Sequence, residues 1–439
     1  MANDLTSTTF VITVVLVLWL IAISIQLVYI VFIYSKTALH RTTDIPVGVQ
    51  VQASAGVPTG SPGTAIPGSI GTNTATLEPA VAGIRTASRE RSAGGPANTN
   101  VPGVTVVVCA WNERENLEEL LPLLDQQEYP EFEVLVMDDR SRDGTLDYLE
   151  EVTTQLQHVR YIRIDREHEH VTPKKYALTI AMKKALYPVV LLTDADCRPA
   201  SRHWITGMAA HLNKAGTDIV LGFSPYQHQP GLLNWVIQGE TLFTAVQYLS
   251  LALAGRPYMG VGRNLMYRRS VFFDNKGFYS HMRILGGDDD LFINEVANAR
   301  NTAVCLHEDT FTWSAPKETW GAWRHQKRRH LHVGRLYKPK HKVRLGLLTG
   351  SHVMTWLLAG VVALATAPFT APTTLFWIAV GLFGCRLLAF WLVVGRISYR
   401  LGRTVGWYTL PLMDALLSFY YIVMGVVTLF RRRRNLAWR

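Results

Sequence analysis

Charged residues are scarce in this chain of 439 residues. Asp, Glu, Lys and Arg together make up 18% of it, whereas about a quarter is usual for a soluble domain. The mean hydropathy is accordingly slightly positive, at +0.10. Long apolar blocks account for this low content of charged residues. Such blocks exclude an ordinary soluble protein and favour a protein with membrane-spanning segments.

Cysteine is also scarce, and its four positions are Cys109, Cys197, Cys305 and Cys385. They lie far apart and match no zinc-binding spacing, which argues against a structural zinc site. Isolated cysteines of this kind are typical of reduced, mostly buried thiols in a cytosolic domain.

Nucleic-acid-binding motifs are missing from the sequence, although the net charge of +10 would suit such a partner. There is no zinc-finger spacing, no RNP-like motif and no long basic arm. Much of the positive charge lies instead beside apolar segments, between Lys327 and Arg344 and in RRRRNLAWR. This placement favours anionic lipid surfaces or phosphate-bearing substrates as partners, and no nucleic acid.

The first apolar block, Phe10 to Tyr34, contains no charged residue over 25 positions, which is enough to cross a bilayer core. It has no basic leading region and no small-residue cleavage site, so residues 1–41 are predicted to be an anchor and not a cleaved signal peptide. Lys36, His40 and Arg41 follow the block. The positive-inside rule therefore places the N-terminus outside and the following domain inside.

Residues 42–100 are rich in Gly, Pro, Ala, Ser and Thr and show no apolar periodicity. Such a stretch cannot bury enough apolar surface to offset its chain entropy. The composition predicts a disordered linker that lets the N-terminal anchor restrain the next domain only loosely.

Three further apolar spans lie in residues 345–439, near Leu345–Ala367, Thr373–Gly395 and Thr404–Phe430. Arg386 and Asp414 lie inside two of them. Charges at membrane depth usually face a partner or water, so the two residues either lock two helices together or have a functional role.

The number of C-terminal spans conflicts with the charge of the tail. With the preceding domain inside, three spans would leave RRRRNLAWR outside, against the positive-inside rule. One span is therefore expected to be interfacial or re-entrant. Thr404–Phe430 is the candidate, because it contains Pro411 and Asp414.

Residues 101–344 alternate between strand-like and helix-like patterns. The alternation predicts an α/β fold with a mostly parallel sheet, flanking helices and ligands at the carboxyl ends of the strands. The predicted strands are VTVVVCA from Val104, FEVLVMDD, VRYIRID and PVVLLTDAD. The predicted helices are NERENLEELLPLLDQQ, DYLEEVTTQLQ and PKKYALTIAMKKAL.

Carboxylates follow two of these strands. Asp194 and Asp196, in TDAD, have a spacing that can hold one hard divalent cation, which would bridge phosphate oxygens. The alternative is a solvated turn. Asp138 begins DDRSRDGT, whose carboxylates could accept hydrogen bonds from a nucleobase or ribose, or whose Asp143 or Ser141 could cap a helix.

Two later motifs also bear on chemistry. GGDDDLFINE, from Gly286 to Glu295, places three carboxylates at the start of a predicted helix, where they either favour the helix N-terminus or take a proton from an acceptor hydroxyl. WGAWRHQKRRHLH, from Trp320 to His332, predicts a helix at the membrane interface. Its Arg and Gln side chains could also close over a diphosphate.

The order VVVCAWNERENL, DDRSRDGT, TDAD, GVGRN, GDDD and QxxR resembles the family 2 inverting glycosyltransferases of the GT-A fold. The layout is similar to the membrane-bound hyaluronan, chitin and cellulose synthases. The resemblance covers roughly Val104 to Arg335. No single motif is specific, but the six occur in the family's order.

The resemblance implies a role for each matching residue. Asp289, the second acidic residue of GDDD, would be the general base. Asp196 would be the main ligand of a divalent cation (Mg²⁺ or Mn²⁺), together with Asp194. The acceptor side would include Gly262, Asp288, Asp290 and His330. The nucleotide-sugar site would be formed by Ala110, Asn112, Glu113, Asp138, Asp139, Lys174, Lys175, Asp194, Arg263, Gln326 and Arg329.

His330 departs from the family pattern, which has Trp at this position of its acceptor site. The sequence therefore favours a transferase that moves one or a few sugars, from UDP in most of the family, to a lipid-linked or glycan acceptor. The alternatives are a processive polysaccharide synthase and a catalytically silent membrane scaffold, and the intact acidic motifs argue against the scaffold. The expected location is a bacterial cell membrane crossed several times, with the catalytic domain in the cytosol.

Overall fold

The computed structural model describes residues 2–42, 84–87, 101–366 and 374–429. Most of the predicted linker and the basic tail therefore lie outside the described residues. The chain begins with helix α1 (Ala2–Val28), a π-helical stretch (Tyr29–Tyr34) and helix α2 (Ser35–Ala38). Strand β1 (Ile84–Ala87) then interrupts the stretch predicted as a disordered linker.

The central domain begins with the alternation that the sequence predicts. Its first elements are β2 (Val104–Ala110), α3 (Arg114–Asp125), β3 (Phe132–Asp139), α4 (Thr145–Val152), β4 (Val159–Ile164), α5 (Pro173–Lys184) and β5 (Val189–Asp194). The apolar spacing of α3 predicts its buried face correctly, since Leu117, Leu120, Leu121 and Leu124 are all buried.

The second half of the domain is less regular, because its strands are short and separated by loops. Its elements are β6 (Cys197–Pro199), α6 (Trp204–Ala209), β7 (Ile219–Leu221), α7 (Leu232–Leu253), β8 (Leu265–Arg268), α8 (Arg269–Asp274), α9 (Asp290–Val296), β9 (Thr302–Val304), β10 (Thr312–Ser314) and α10 (Trp320–Gly334). Three long helices follow: α11 (Pro339–Thr366), α12 (Thr374–Arg400) and α13 (Leu410–Leu429).

The main sheet has eight strands in the order β1-β4-β3-β2-β5-β8-β7-β9. Strands β4, β3, β2 and β5 are parallel, whereas β8 is antiparallel to both β5 and β7. β1 pairs antiparallel with β4, whose outer backbone groups would otherwise form an open edge. The prediction of a mostly parallel α/β sheet with flanking helices is confirmed.

A topological switch point lies between β2 and β5. The chain runs from β2 outward through β3 to β4, and then returns to place β5 on the other side of β2. Cys109 of β2 and Asp194 of β5 are partners in the register at the carboxyl ends of the two strands. In open α/β sheets, ligands bind in the crevice at such a point, and this crevice contains the TDAD motif.

Apolar cores cover both faces of the sheet. One core includes Leu117 and Val136 under α3, and the other includes Leu135 and Leu192 under α5. Burial on both faces explains why the parallel strands are continuous apolar runs instead of alternating patterns.

The second core continues into the long terminal helices. It contains Tyr34, α7 residues such as Leu249, and Val394 of α12. Thr37 also hydrogen-bonds Ser250 of α7, with 2.8 Å between their hydroxyl oxygens. The expectation that the N-terminal anchor restrains the domain only loosely is therefore wrong, because the end of that anchor shares a packed core with α7.

Four described helical segments are long and apolar enough to cross a membrane: Phe10–Ala38, Pro339–Thr366, Thr374–Arg400 and Trp407–Val426. Arg386 and Asp414, whose partners the sequence leaves open, form an ion pair with each other between α12 and α13. His352 of α11 and Gln26 of α1 also hydrogen-bond the Arg386 guanidinium, each at 3.1 Å. All four helices therefore meet at one buried cluster.

Candidate active site

The loops that follow β2 and β3 are joined by hydrogen bonds. Asn112, which has a positive φ of 56°, donates its backbone N–H to the hydroxyl of Ser141 over 2.8 Å. Its side-chain oxygen accepts the backbone N–H of Arg142, also at 2.8 Å. Glu113 donates its N–H to the hydroxyl of Thr145 at 3.1 Å. The structure thus brings Asn112 and Glu113, two residues of the predicted nucleotide-sugar site, beside the DDRSRDGT loop.

Asp138 and Asp139, predicted to contact a nucleoside, already have arginine partners. Asp138 is fully buried and forms an ion pair with Arg163, its partner in the register between β3 and β4. Asp139 accepts a hydrogen bond of 2.8 Å from Arg140, which has a positive φ of 59°. The sequence analysis missed both arginines, because the pairing of Arg163 depends on the strand register.

Lys174 lies at the centre of the crevice, between two carboxylates from distant parts of the chain. Its Nζ is 2.8 Å from Oδ1 of Asp194 and 3.4 Å from Oδ2 of Asp288. Burial has the largest influence and would raise the pKa of the Asp194 carboxyl, but the charge and hydrogen bond of Lys174, together with the charges of Arg263 and Arg329, lower it. Lys174 therefore connects the TDAD and GDDD motifs.

Asp196 has no comparable cation against it. Its carboxylate accepts only a weak contact of 3.7 Å from the thiol of Cys197 among the interactions of the described residues. Burial and then the neighbouring Asp194 raise the pKa of Asp196, and burial together with both aspartates raises the pKa of Glu113. The crevice thus contains carboxylate charge that the described side chains do not fully neutralise.

These carboxylates suit a hard divalent cation in one respect and not in another. No group of three His, Cys, Asp or Glu side chains in the described ranges is arranged to hold a metal ion. A magnesium-like cation, however, often takes only one or two carboxylates and completes its shell with phosphate oxygens and water. Asp194 and Asp196 fit that second kind of site, with 34% of the Asp194 side chain left exposed.

Arg263, near these carboxylates, packs against an aromatic ring and hydrogen-bonds a polar side chain. Its guanidinium carbon is 4.3 Å from the centre of the Tyr226 ring, and it donates to the Ser314 hydroxyl over 2.8 Å. Tyr226 in turn accepts a hydrogen bond of 3.1 Å from Gln326 on α10. Tyr226, which the sequence analysis missed, therefore links two predicted donor-site residues that are 63 positions apart.

The end of the QxxR motif also faces the crevice. The charge of Arg329 helps to lower the pKa of Asp194, and its Nε is buried without a hydrogen-bond partner among the described residues. His330 is exposed, but partial desolvation by the surrounding protein and then the charges of Lys327 and Arg329 lower its pKa. His330 is thus favoured as a neutral imidazole, not as a second cation.

Lys327, between these residues, points away from the crevice. It is 6% exposed and forms an ion pair with Glu240 of α7. The sequence analysis treated it as part of a basic membrane-facing helix. It instead fixes α10 on α7, and this tertiary pair determines where Gln326 and Arg329 lie.

Asp289, the predicted general base, is the N-cap of α9. One carboxylate oxygen accepts the backbone N–H of Gly262 and the other accepts that of Asp290, each over 2.7 Å. Burial, followed by the charge of Asp288, raises the pKa of Asp289 to about 6. A Cβ at Gly262 would lie 3.2 Å from the carboxylate, so glycine permits this close approach.

Asp290 and Lys175 occupy places that differ from the prediction. Asp290 is buried and accepts a hydrogen bond of 2.8 Å from Tyr337, so it anchors the chain before α11 instead of facing an acceptor. Lys175 is fully buried and donates to the carbonyls of His281 and Ile284, each over 2.7 Å. The side chains of the adjacent residues Lys174 and Lys175 point in different directions from α5, and of the two only Lys174 reaches the crevice.

Residues 105–274 match the model of the Glycosyl transferase family 2. Over these 170 residues, which are less than half of the 439, the chain is similar to that family. The matched range includes TDAD, Lys174 and the Gly262–Arg263 segment, but it ends before GDDD and the QxxR motif. The geometry above is therefore the reason for grouping those later residues with the family 2 domain.

Two curated relatives are also glycosyltransferases by name. The chain is 25% identical over 192 residues to Glycosyltransferase AglE of Haloferax volcanii, and the match covers 43% of this chain and 60% of that protein. It is 39% identical over 54 residues to an uncharacterized glycosyltransferase of Haemophilus influenzae, covering 12% and 17% of the two chains. The matched part of this chain thus covers about three fifths of the length of AglE.

Similar solved structures include the mannosyltransferase PcManGT from Pyrobaculum calidifontis, in complex with GDP-Man and Mn²⁺. Its TM-score is 0.48 at 18% identity, and the match covers 95% of this chain and 100% of that chain. S. aureus TarS 1-349 in complex with UDP-GlcNAc has a TM-score of 0.36 at 16% identity, covering 76% and 93%.

Proposed function

We propose that the chain is an inverting glycosyltransferase that moves a sugar from a nucleotide diphosphate, UDP in the first instance, to a hydroxyl of a lipid-linked or glycan acceptor. The observation that carries this proposal is the arrangement around Lys174. It joins Asp194, beside the under-neutralised Asp196, to Asp288, which adjoins Asp289. One crevice therefore contains both a pair of carboxylates that can bind a cation, Asp194 and Asp196, and a carboxylate suited to accept a proton, Asp289.

The donor would lie across the carboxyl ends of β2, β3 and β5, with its nucleoside towards the joined loops of Asn112 and Ser141. Its diphosphate would lie near Lys174, Arg263 and Arg329, whose positive charges would offset the charge that develops on the leaving group. The family 2 match over residues 105–274 supports this orientation of the donor.

Asp196 and Asp194 would hold a divalent cation together with the donor's phosphate oxygens. Such a cation, when bound, would supply Lewis-acid stabilisation of the departing diphosphate. The raised pKa of Asp196 supports the assignment, because a cation would relieve the repulsion between the two carboxylates.

Asp289 would take the proton from the acceptor hydroxyl. The acceptor oxygen then forms a bond to the anomeric carbon as the bond from that carbon to the diphosphate oxygen breaks, and the proton remains on Asp289. Attack from the face opposite the leaving group converts an α-linked donor into a β-glycoside. A pKa of about 6 suits this step, because the carboxylate is mostly ionised at neutral pH and yet more basic than an exposed one.

The test is transfer by the purified full-length chain in lipid nanodiscs, with membrane lipid extract as acceptor and a panel of labelled nucleotide sugars. We expect one donor to give a product with the opposite anomeric configuration, read by nuclear magnetic resonance, and we expect chelation of divalent cations to stop transfer. A product of retained configuration would refute the single displacement. A ladder of long products would instead identify the processive alternative.

A further inference from the structure

Helix α13 is as apolar as a membrane span, but its contacts differ from those of a span. It begins beside Trp407, whose ring stacks on Trp391 of α12 with 4.9 Å between the ring centres. Paired tryptophans are typical of the boundary between lipid and water. The α12 residues from Thr374 to Trp391 number 18 and extend about 27 Å, close to the thickness of a bilayer core. The start of α13 therefore lies at the membrane boundary on the side of the central domain.

A spanning α13 would run from this boundary towards the far side of the membrane. Tyr421 lies 14 residues beyond Trp407, so a helix antiparallel to α12 would bring it about 21 Å away, near residue 377. Tyr421 instead lines the same small cavity as Phe390, the neighbour of Trp391. Between Trp407 and Tyr421 the helix has thus advanced along its own axis without moving deeper into the membrane.

Contacts with α11 lead to the same conclusion. His352 is 3.0 Å from the carbonyl of Asp414 through Nε2, and its ring centre is 5.8 Å from that of Tyr421. Asp414 and Tyr421 are seven residues, or about 10 Å, apart on α13. One residue of α11 therefore contacts both ends of this two-turn stretch of α13.

The inner face of α13 stays on the central domain along its length. Met413 packs against Gly239 of α7, Tyr421 accepts a hydrogen bond of 2.9 Å from Gln247, and the Tyr420 ring centre is 6.3 Å from that of Trp323 on α10. These partners belong to the layer that also positions Gln326 and Arg329. A helix that crossed the membrane would leave this layer within its first turns.

The outer face of α13 is an exposed apolar stripe with helical spacing. Its members are 37–66% exposed: Leu412, Leu416, Phe419, Val423 and Val426. Their spacing of three and four residues places them on one side of the helix. The stripe begins beside Trp391, next to Leu388 and Leu392, which are exposed on α12, so it continues a surface already suited to lipid.

We propose that α13 lies in the plane of the membrane, embedded through this stripe in the leaflet that adjoins the central domain, and that only three helices cross the bilayer. Lipid acyl chains and headgroups are the partner of the stripe. The four arginines of RRRRNLAWR then follow on the same side as the central domain, in agreement with the positive-inside rule. This arrangement is independent of the proposed transferase reaction.

The test measures the depth of spin labels in nanodiscs. Leu412→Cys, Leu416→Cys, Phe419→Cys, Val423→Cys and Val426→Cys are each introduced into a full-length chain whose four native cysteines are replaced by alanine. The matched controls are Ile378→Cys, Leu388→Cys and Leu392→Cys, exposed positions on α12 whose first and last members are 14 residues apart, as are those of the α13 set. We expect the controls to span about 20 Å of depth and the α13 positions to share one depth. A depth that changes steadily along α13 would overturn the proposal.

A second measurement uses the native cysteines and therefore does not depend on the cysteine-free chain folding. A protease-sensitive tag after Arg439 is probed in right-side-out and inverted vesicles, beside a tag inserted in the central domain. We expect both tags to be cleaved in the same vesicle orientation. Cleavage in opposite orientations would place an odd number of crossings between them and refute the in-plane helix.

Discussion

Two clusters of charge in this protein are built in opposite ways. At the ends of the central strands, Asp196, Glu113 and Asp289 have raised pKa values because burial and neighbouring carboxylates oppose their ionisation. Between the long helices, Arg386 and Asp414 are fully buried but pair with each other. The carboxylates at the strand ends therefore keep negative charge that is not fully neutralised, whereas the charges of Arg386 and Asp414 neutralise each other.

The difference separates a binding site from a structural one. A crevice that receives a diphosphate, a cation and a proton, as we propose for this one, needs groups whose interactions are completed only by ligands. A cluster among apolar helices must instead satisfy itself, because a lone charge there has no solvent to stabilise it. His352, Gln26 and Trp356 complete the second cluster by hydrogen bonds to Arg386 or Asp414.

The largest expected effect is on catalysis. Asp289→Asn should lower turnover by about a thousandfold or more, because it removes the proton acceptor, while donor affinity measured by calorimetry is unchanged. Thermal stability should fall only slightly, since asparagine still caps α9 through its side-chain oxygen, whereas its amide nitrogen cannot accept the second of the two backbone N–H groups. The control is Asp274→Asn, at an exposed position on α8. Normal turnover in Asp289→Asn would show that this carboxylate is not the base.

The next effect is on stability. Arg386→Met should destabilise the protein in nanodiscs by about 3 kcal/mol or more, because it leaves the Asp414 carboxylate buried without its partner. The double variant with Asp414→Leu should recover most of the loss in thermal unfolding. Equal unfolding temperatures for the single and double variants would mean that the cluster is not a matched pair.

An intermediate effect is expected when the pH is lowered and the rate of transfer is measured. Transfer by the parent protein should fall about tenfold for each unit below pH 6, because the ionised carboxylate of Asp289 accepts the proton and its pKa is about 6. The fall is towards acid, since a raised carboxyl pKa means that protonation begins at a higher pH. Initial rates from pH 5 to 8, with folding checked by tryptophan fluorescence, provide the measurement. A profile flat through pH 6 would contradict the pKa assignment.

The smallest effect concerns the support of the acidic loop. Lys175→Met removes two hydrogen bonds to the segment that precedes Gly286, so we expect turnover to fall about tenfold while the donor KM stays near its original value. Lys183→Met, exposed on the same helix, is the control. A rise in donor KM with unchanged turnover would instead return Lys175 to the diphosphate site that the sequence predicts.

Much of the central fold could be predicted from the sequence. The strands β2 and β3 have the predicted bounds, and the leucine spacing of α3 predicts its buried side, because apolar periodicity depends on local geometry. The family resemblance implied a shared site for Asp194, Lys174 and Asp289, and Lys174 does lie beside Asp194 and beside Asp288, the neighbour of Asp289. The different directions of two adjacent side chains, such as those of Lys174 and Lys175, could not be predicted from the sequence. Each direction depends on what packs against the helix.

The sequence by itself determined the α/β domain, the apolar segments around it and the types of residue at the strand ends, because these follow from composition, period and local order. Only the tertiary structure decided which charges are already paired: Asp138 with Arg163, Lys327 with Glu240, and Arg386 with Asp414. It also decided that the end of the N-terminal anchor packs on α7 and that α13 contacts α7 and α10. Each of these depends on contacts between residues far apart in the chain, and local patterns contain no record of such contacts.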